Sequence, residues 1–100
     1  MWFATRTRRW SHPWLGRSDM ARATYDPDAD ILYVMLRDGE KIERQTFLDD
    51  LRVIDHSATG VVVGVEFMCA SEGVDLGDVP FARQVEDLIG RSGHSFRILV

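Results

Sequence analysis

Six apolar residues in a row, Ile31-Leu32-Tyr33-Val34-Met35-Leu36, stand between an Asp26-Pro27-Asp28-Ala29 segment and an Asp38-Gly39 pair. A run this short, closed at both ends by turn residues, predicts a strand covered on both faces or central in its sheet. Val61–Val65 repeats the pattern around Gly64. These are the longest apolar runs in the chain, and both fall far below the roughly 18 to 20 residues of a membrane-crossing helix. The chain is therefore expected to be soluble, with no membrane partner. Its 100 residues without an internal repeat predict one domain. A domain this small buries only about 60 to 65% of its unfolded surface. Pairing with a second copy would bury more.

Around these two runs the chain reads as strands and turns. Arg22–Asp26 is predicted as the first strand, followed by a turn in which Asp26 accepts hydrogen bonds and Pro27 presets the backbone angle. Ile31–Leu36 comes next, and Arg37-Asp38-Gly39-Glu40 reads as a hairpin turn, since Asp-Gly readily adopts the positive angles required. Lys41–Leu48 returns with Ile42, Thr46 and Leu48 on one face and Lys41, Glu43 and Gln45 on the other, a strand with one wet side. Asp49-Asp50 turns the chain into Leu51–His56, and Ser57-Ala58-Thr59-Gly60 connects to Val61–Met68. Gly64 in the middle of that strand predicts a bulge or a close backbone approach.

After Ser71 the periodicity changes. Gly73–Pro80 reads as a loop, with Pro80 where a helix begins and Asp78 as its expected cap. Phe81, Val85, Leu88 and Ile89 recur at the spacing of one helical face, and Gly90 and Gly93 end it. Phe96–Val100 reads as a final short strand; were it parallel to Val61–Met68, the crossover would be right-handed. The predicted class is α+β, a small antiparallel sheet of consecutive hairpins with one C-terminal helix and a short final strand.

Charge divides the chain. Residues 1–19 hold Arg6, Arg8, Arg9 and Arg17 against Asp19, a balance of +3, together with Trp2, Trp10 and Trp14. Residues 20–100 hold eight basic and fifteen acidic side chains, a balance of −7, which gives the net −4. The first segment lacks the apolar stretch of a secretory signal, and Ser11-His12-Pro13 comes soon after the Arg8-Arg9 pair, where a twin-arginine signal needs apolar residues. It is read as a basic, Trp-rich extension outside the core, dispensable for folding, with Met20 as an alternative start of the domain at residues 20–100. The competing reading is an arm whose arginines meet phosphates and whose tryptophans stack on bases. Nucleic acid enters only through residues 1–19.

Ala23-Thr24-Tyr25-Asp26-Pro27-Asp28-Ala29-Asp30, then Leu32-Tyr33 and Leu36-Arg37-Asp38-Gly39, resembles the opening of small bacterial proteins grouped as domain of unknown function 2283. Gly64-Val65-Glu66 and Ala70-Ser71 resemble that family's closing strand, so the likeness covers about residues 22–71. It implies a compact antiparallel sheet of consecutive hairpins and brings no activity, cofactor or catalytic residue.

Spacing arguments find no active site. Asp26, Asp28 and Asp30 alternate like calcium ligands, but the sixth and twelfth loop positions hold Ile31 and Arg37 instead of Gly and Glu. They are read as one turn acceptor, Asp26, and two solvated carboxylates. His12, His56 and His94 have no ligand spacing, and Asp55 and His56 point to opposite faces of a strand. Cys69, the only cysteine, excludes an intrachain disulfide and fits a reducing cytoplasm; it is read as a packing group rather than a nucleophile paired with His56 or His94. Ser57 and Ser71 lack a nucleophile elbow, and Gly60 and Gly64 lack the ending of a phosphate loop.

No catalytic residue, cofactor or metal ligand is thus expected. The function expected is a non-enzymatic cytoplasmic module, antitoxin-like or accessory, that acts through protein contacts and pairs as a homodimer. The alternatives are nucleic-acid binding through the arm and a small enzyme with a site shared across a dimer interface. Calorimetric titration with calcium, magnesium and zinc is predicted to show no micromolar binding; binding abolished by replacing Asp28 and Asp30 would overturn the turn reading.

Overall fold

The computed structural model describes residues 21–99. The expectations about the basic extension and the Met20 start lie outside the described residues. Strands β1 (Arg22–Asp26), β2 (Ile31–Met35), β3 (Arg44–Asp49), β4 (Arg52–His56) and β5 (Val62–Met68) form one antiparallel sheet in the order β1-β2-β5-β4-β3. A 3-10 turn at Ala70–Glu72, strand β6 (Val74–Asp75), helix α1 (Ala82–Gly90) and strand β7 (Ile98–Leu99) complete the chain.

The hairpins are β1–β2, β3–β4 and β4–β5. The Asp38-Gly39 turn forms, with Gly39 at φ 88°, but it does not bring β3 back beside β2. Leu36 and Arg37 both donate backbone N–H to the Val63 carbonyl, and Glu43 donates to the His56 carbonyl. The connection therefore runs along one end of the sheet to its far edge. β2, buried at four of five positions, takes the inner place beside β5 instead. An edge place would have left its backbone groups exposed to other chains.

β5 is the centre. Residues paired across an antiparallel ladder share a face, so the sheet has two sets of rows. One face carries Ala23, Val34, Val65, Ile54 and Thr46 in one row and Tyr25, Leu32, Phe67, Arg52 and Asp49 in the next. Its apolar members join Ala70, Val74, Leu76, Val79, Val85, Leu88 and Ile89 in a single core. Helix α1 lies over β1 and β2. Nine residues are too few for a stable isolated helix, so docking of Val85, Leu88 and Ile89 holds it.

Three local expectations change. Helix α1 begins at Ala82, and its cap residue Phe81 is left-handed at φ 56° with no side-chain cap; Asp78, also left-handed, lies too far upstream to cap it. Phe81 consequently points to solvent at 61% exposure, and Val79 fills the core in its place. The supposed loop Gly73–Pro80 contains β6, and the last strand, Ile98–Leu99, pairs with it in parallel rather than with β5.

Gly64 shows both expected features. The β4–β5 register shifts between Asp55 and His56, next to it. A Cβ at Gly64 would overlap the Tyr33 hydroxyl and come within 2.7 Å of the Val34 carbonyl oxygen. The side chain can turn away, but the backbone carbonyl in the neighbouring strand cannot. Gly64→Ala is predicted to destabilise the fold by about 2 kcal/mol in urea unfolding; an unchanged midpoint would show that the strands have room to separate.

Candidate interaction face

The face of the sheet opposite α1 has a different composition. One row reads Arg22, Met35, Gly64, Asp55 and Gln45; the next reads Thr24, Tyr33, Glu66, Val53 and Phe47. Its centre is buried: Tyr33 is 3% exposed, Val53 3%, Asp55 1% and Glu66 0%. The 3-10 turn, β6, α1 and β7 all contribute to the core on the other side, so among the described residues no helix lies on this face.

Within this apolar surface the polar groups converge. Asp55 stands opposite Gly64, and Glu66 is two residues further along β5, which makes the carboxylates diagonal neighbours on one face. The Tyr33 ring leans over Gly64, carrying its hydroxyl toward the row that holds Asp55. Asp55 accepts a hydrogen bond from the Gln45 side-chain amide at 2.8 Å. Tyr33, Asp55 and Glu66 are all engaged in further polar, ring or electrostatic contacts. Thr24 Oγ1, in the Tyr33 row, is buried without a hydrogen-bond partner. Two buried carboxylates, a phenol and an amide thus share one concentrated site in the middle of a sheet.

The residues singled out by spacing lie elsewhere. Asp26 Oδ1 accepts from the backbone of Asp28 at 3.0 Å and Ala29 at 3.3 Å, as the turn requires, and Asp28 is exposed. Asp30 is not merely solvated. At φ 56° it accepts the Tyr25 hydroxyl at 2.7 Å, the Ser71 N–H at 2.8 Å and the Ser71 hydroxyl at 2.6 Å. The clamp joins the first hairpin to the end of β5. Among the described residues no three His, Cys, Asp or Glu side chains gather to hold a metal ion.

Cys69 and His56 sit at opposite ends of the β4–β5 ladder, since His56 pairs with Val62 and Cys69 follows Met68. Six residues of strand separate them by about 20 Å, which rules out a thiol–imidazole pair. His94 packs edge-on against Tyr25 and near Phe96, with centroids 5.3 and 6.3 Å away. The Ser57 hydroxyl accepts the Val61 N–H at 3.2 Å and serves the β4–β5 loop. A shallow groove of about 350 Å³ between Leu36, Arg37, Val61, Phe81 and Gln84 is a second concavity, with one charged group and no convergent polar set.

Asp55 and Glu66 escaped the motif search because they match no motif. The available signal was an acidic residue inside each of two otherwise apolar strands. Placing them on the same face required the β4–β5 register, which the bulge beside Gly64 shifts by one residue. A one-residue slip reverses every side chain.

The Asp30 clamp sets a pH dependence. Hydrogen bonds from Ser71 and then Tyr25 hold the Asp30 carboxyl below its ordinary range, and the hydrogen bond to Asp30 raises the Tyr25 phenol. A depressed carboxyl contributes stability that is present above its unfolded value, about 4, and is lost as pH falls through the folded value. Asp30→Asn is predicted to lower Tm at pH 7 and to converge with the unaltered protein as pH drops below about 4. A gap that persists in acid would assign the loss to geometry instead of charge.

Comparison with known proteins adds one finding. The chain matches neither a curated protein nor a solved structure. Residues 22–71 match the family model described as Protein of unknown function (DUF2283), from the first residue of β1 through Ser71 of the clamp. With half of its length matched, the chain belongs to this family.

Proposed function

We propose that this protein works by binding a polypeptide, not by catalysis, and that the binding surface is the sheet face opposite α1. The observation that supports this reading is a sheet face with buried Tyr33, Met35 and Val53 on which, among the described residues, no helix lies. Apolar surface of this kind calls for apolar cover, and the carboxylates within it favour a partner of basic rather than acidic character.

The ligand that fits is a segment bringing large apolar side chains together with basic ones. The apolar part of the face, Met35 and Val53, favours a second reading, a symmetric homodimer through the same surface. Two-fold pairing, however, sets the same patch of each copy against the other, and here that gathers four carboxylates. The lone Cys69 supports a reducing, cytoplasmic setting for either reading.

Hydroxyl-radical footprinting of the full-length protein tests whether this face is covered. Tyr33 and Met35 are predicted to react as slowly as Phe67 in the helix-side core, and far more slowly than Phe47, which is 63% exposed. Reaction at the Phe47 level would remove the basis for a binding face.

A further inference from the structure

We infer that strand β3 pairs with β3 of a second copy, antiparallel and about a two-fold axis at Thr46, so that two five-stranded sheets join edge to edge. The inference concerns the rim of the sheet and does not depend on what covers the face opposite α1.

The rim is unfinished at β3. It is the outermost strand, and nothing among the described residues pairs with its far side. None of its six residues is buried, and Phe47 stands 63% exposed. Edge strands of monomers are commonly blunted by lysine or proline, and Arg44-Gln45-Thr46-Phe47-Leu48-Asp49 holds neither. The other edge strand, β1, has α1 against it and the rings of His94 and Phe96 on Tyr25.

The ladder register shows which backbone groups point outward. Met68 donates its N–H to the Leu51 carbonyl, and bonding alternates along each strand of an antiparallel ladder. Leu51, Val53 and Asp55 thus bond toward β5, while Arg52 and Ile54 turn toward β3. Ile54 is the partner of Thr46, so Thr46 bonds β4. Its neighbours Gln45 and Phe47 therefore aim their N–H and C=O groups away from the sheet. With the axis at Thr46, Gln45 of each copy meets Phe47 of the other, and both pairs exchange N–H to carbonyl bonds in the two directions.

The side chains select a second copy as the occupant. The register shift between Phe47 and Asp49 puts Asp49 on the same face as Arg44 and Thr46. About an axis at Thr46, Arg44 of each copy stands across from Asp49 of the other, and opposite charges facing one another stabilise a strand pair. Arg44 is exposed, and the Asp49 side chain is 47% exposed even while it holds Arg52. On the opposite face Phe47 covers Gln45 of the partner. A foreign strand would need the same order of basic, hydroxyl and acidic side chains, which β3 already carries. The same two-fold operator keeps like faces on the same side. The face opposite α1 then runs on from one copy to the next without setting Asp55 and Glu66 of the two copies against each other.

Sedimentation of the full-length protein from about 10 µM to about 1 mM tests the inference, since so short a junction is expected to be reversible. The expected result is a rise from single-chain to double-chain mass, with amide exchange at Gln45 and Phe47 slowing as the mass rises. Thr46→Lys sets two ammonium groups against each other at the axis and should weaken association about tenfold or more. Arg44→Glu should act in the same direction. Both positions are exposed, so each variant should keep its fold at the lowest concentration; if either does not, amide exchange in the unaltered protein decides. Single-chain mass throughout, or a double-chain species in which Gln45 and Phe47 still exchange fast, would overturn the inference. Slow exchange in the single-chain species would also overturn it and give the edge to a strand of the same chain. Double-chain mass that folded Thr46→Lys leaves unchanged would overturn it in favour of pairing through the sheet face. Radical reactivity of Tyr33 and Met35 is read on that face, away from the β3 rim, so either reading can fail while the other stands.

Discussion

Strand β5 has no wet side. It lies between β2 and β4, with Val63, Gly64, Val65, Glu66 and Phe67 all buried, and the rest of the molecule is arranged around covering it twice. On one side α1, the 3-10 turn and the short β6–β7 ladder supply the cover, closing over Val65 and Phe67 with Val74, Val85, Leu88 and Ile89. On the other side β5 offers Gly64 and Glu66, a missing side chain next to a charged one. The empty space over Gly64 is taken by the Tyr33 ring, and the charge sits beside Asp55. The two faces of one strand thus differ in character, one purely apolar and one in which carboxylates stand among apolar side chains.

Two polar ties hold this layering in place. Asp30 binds Tyr25 and Ser71, fastening the β1–β2 turn to the exit of β5. Arg52 reaches from β4 to Asp49 and to the Asp75 and Gly77 carbonyls, fastening the β3–β4 turn to the segment that leads toward α1. The stretch shared with the family, residues 22–71, contains all five sheet strands and both ends of the Asp30 clamp. The helix-side cover from Val74 onward lies outside it. In this chain the family portion is the sheet and its carboxylate face, and the apolar lid is an addition.

Much of the sheet was legible because burial on both faces leaves a mark that turn residues bound. β1 was located at its observed ends, and β2 and β5 within one residue, since Asp26-Pro27 and Ser57–Gly60 punctuate them. Strand order was not legible: Asp38-Gly39 favours a turn locally, but whether a turn closes a hairpin depends on which strands need interior places. Phe81 misled because helical spacing identifies a face without fixing where the helix starts, and a left-handed cap residue breaks the period. β6 is two residues between Gly73 and Gly77, too short for any periodicity. The candidate site was the least legible part, because Asp55 and Glu66 acquire their meaning only from a cross-strand register.

The central claim is that β5 and its neighbours are covered on both faces of the sheet. Relaxation of the Val53 methyl groups by a soluble gadolinium chelate tests it most directly. The account predicts relaxation as weak as at the Val65 methyls on the α1 side; relaxation as strong as at the exposed Leu51 would contradict it.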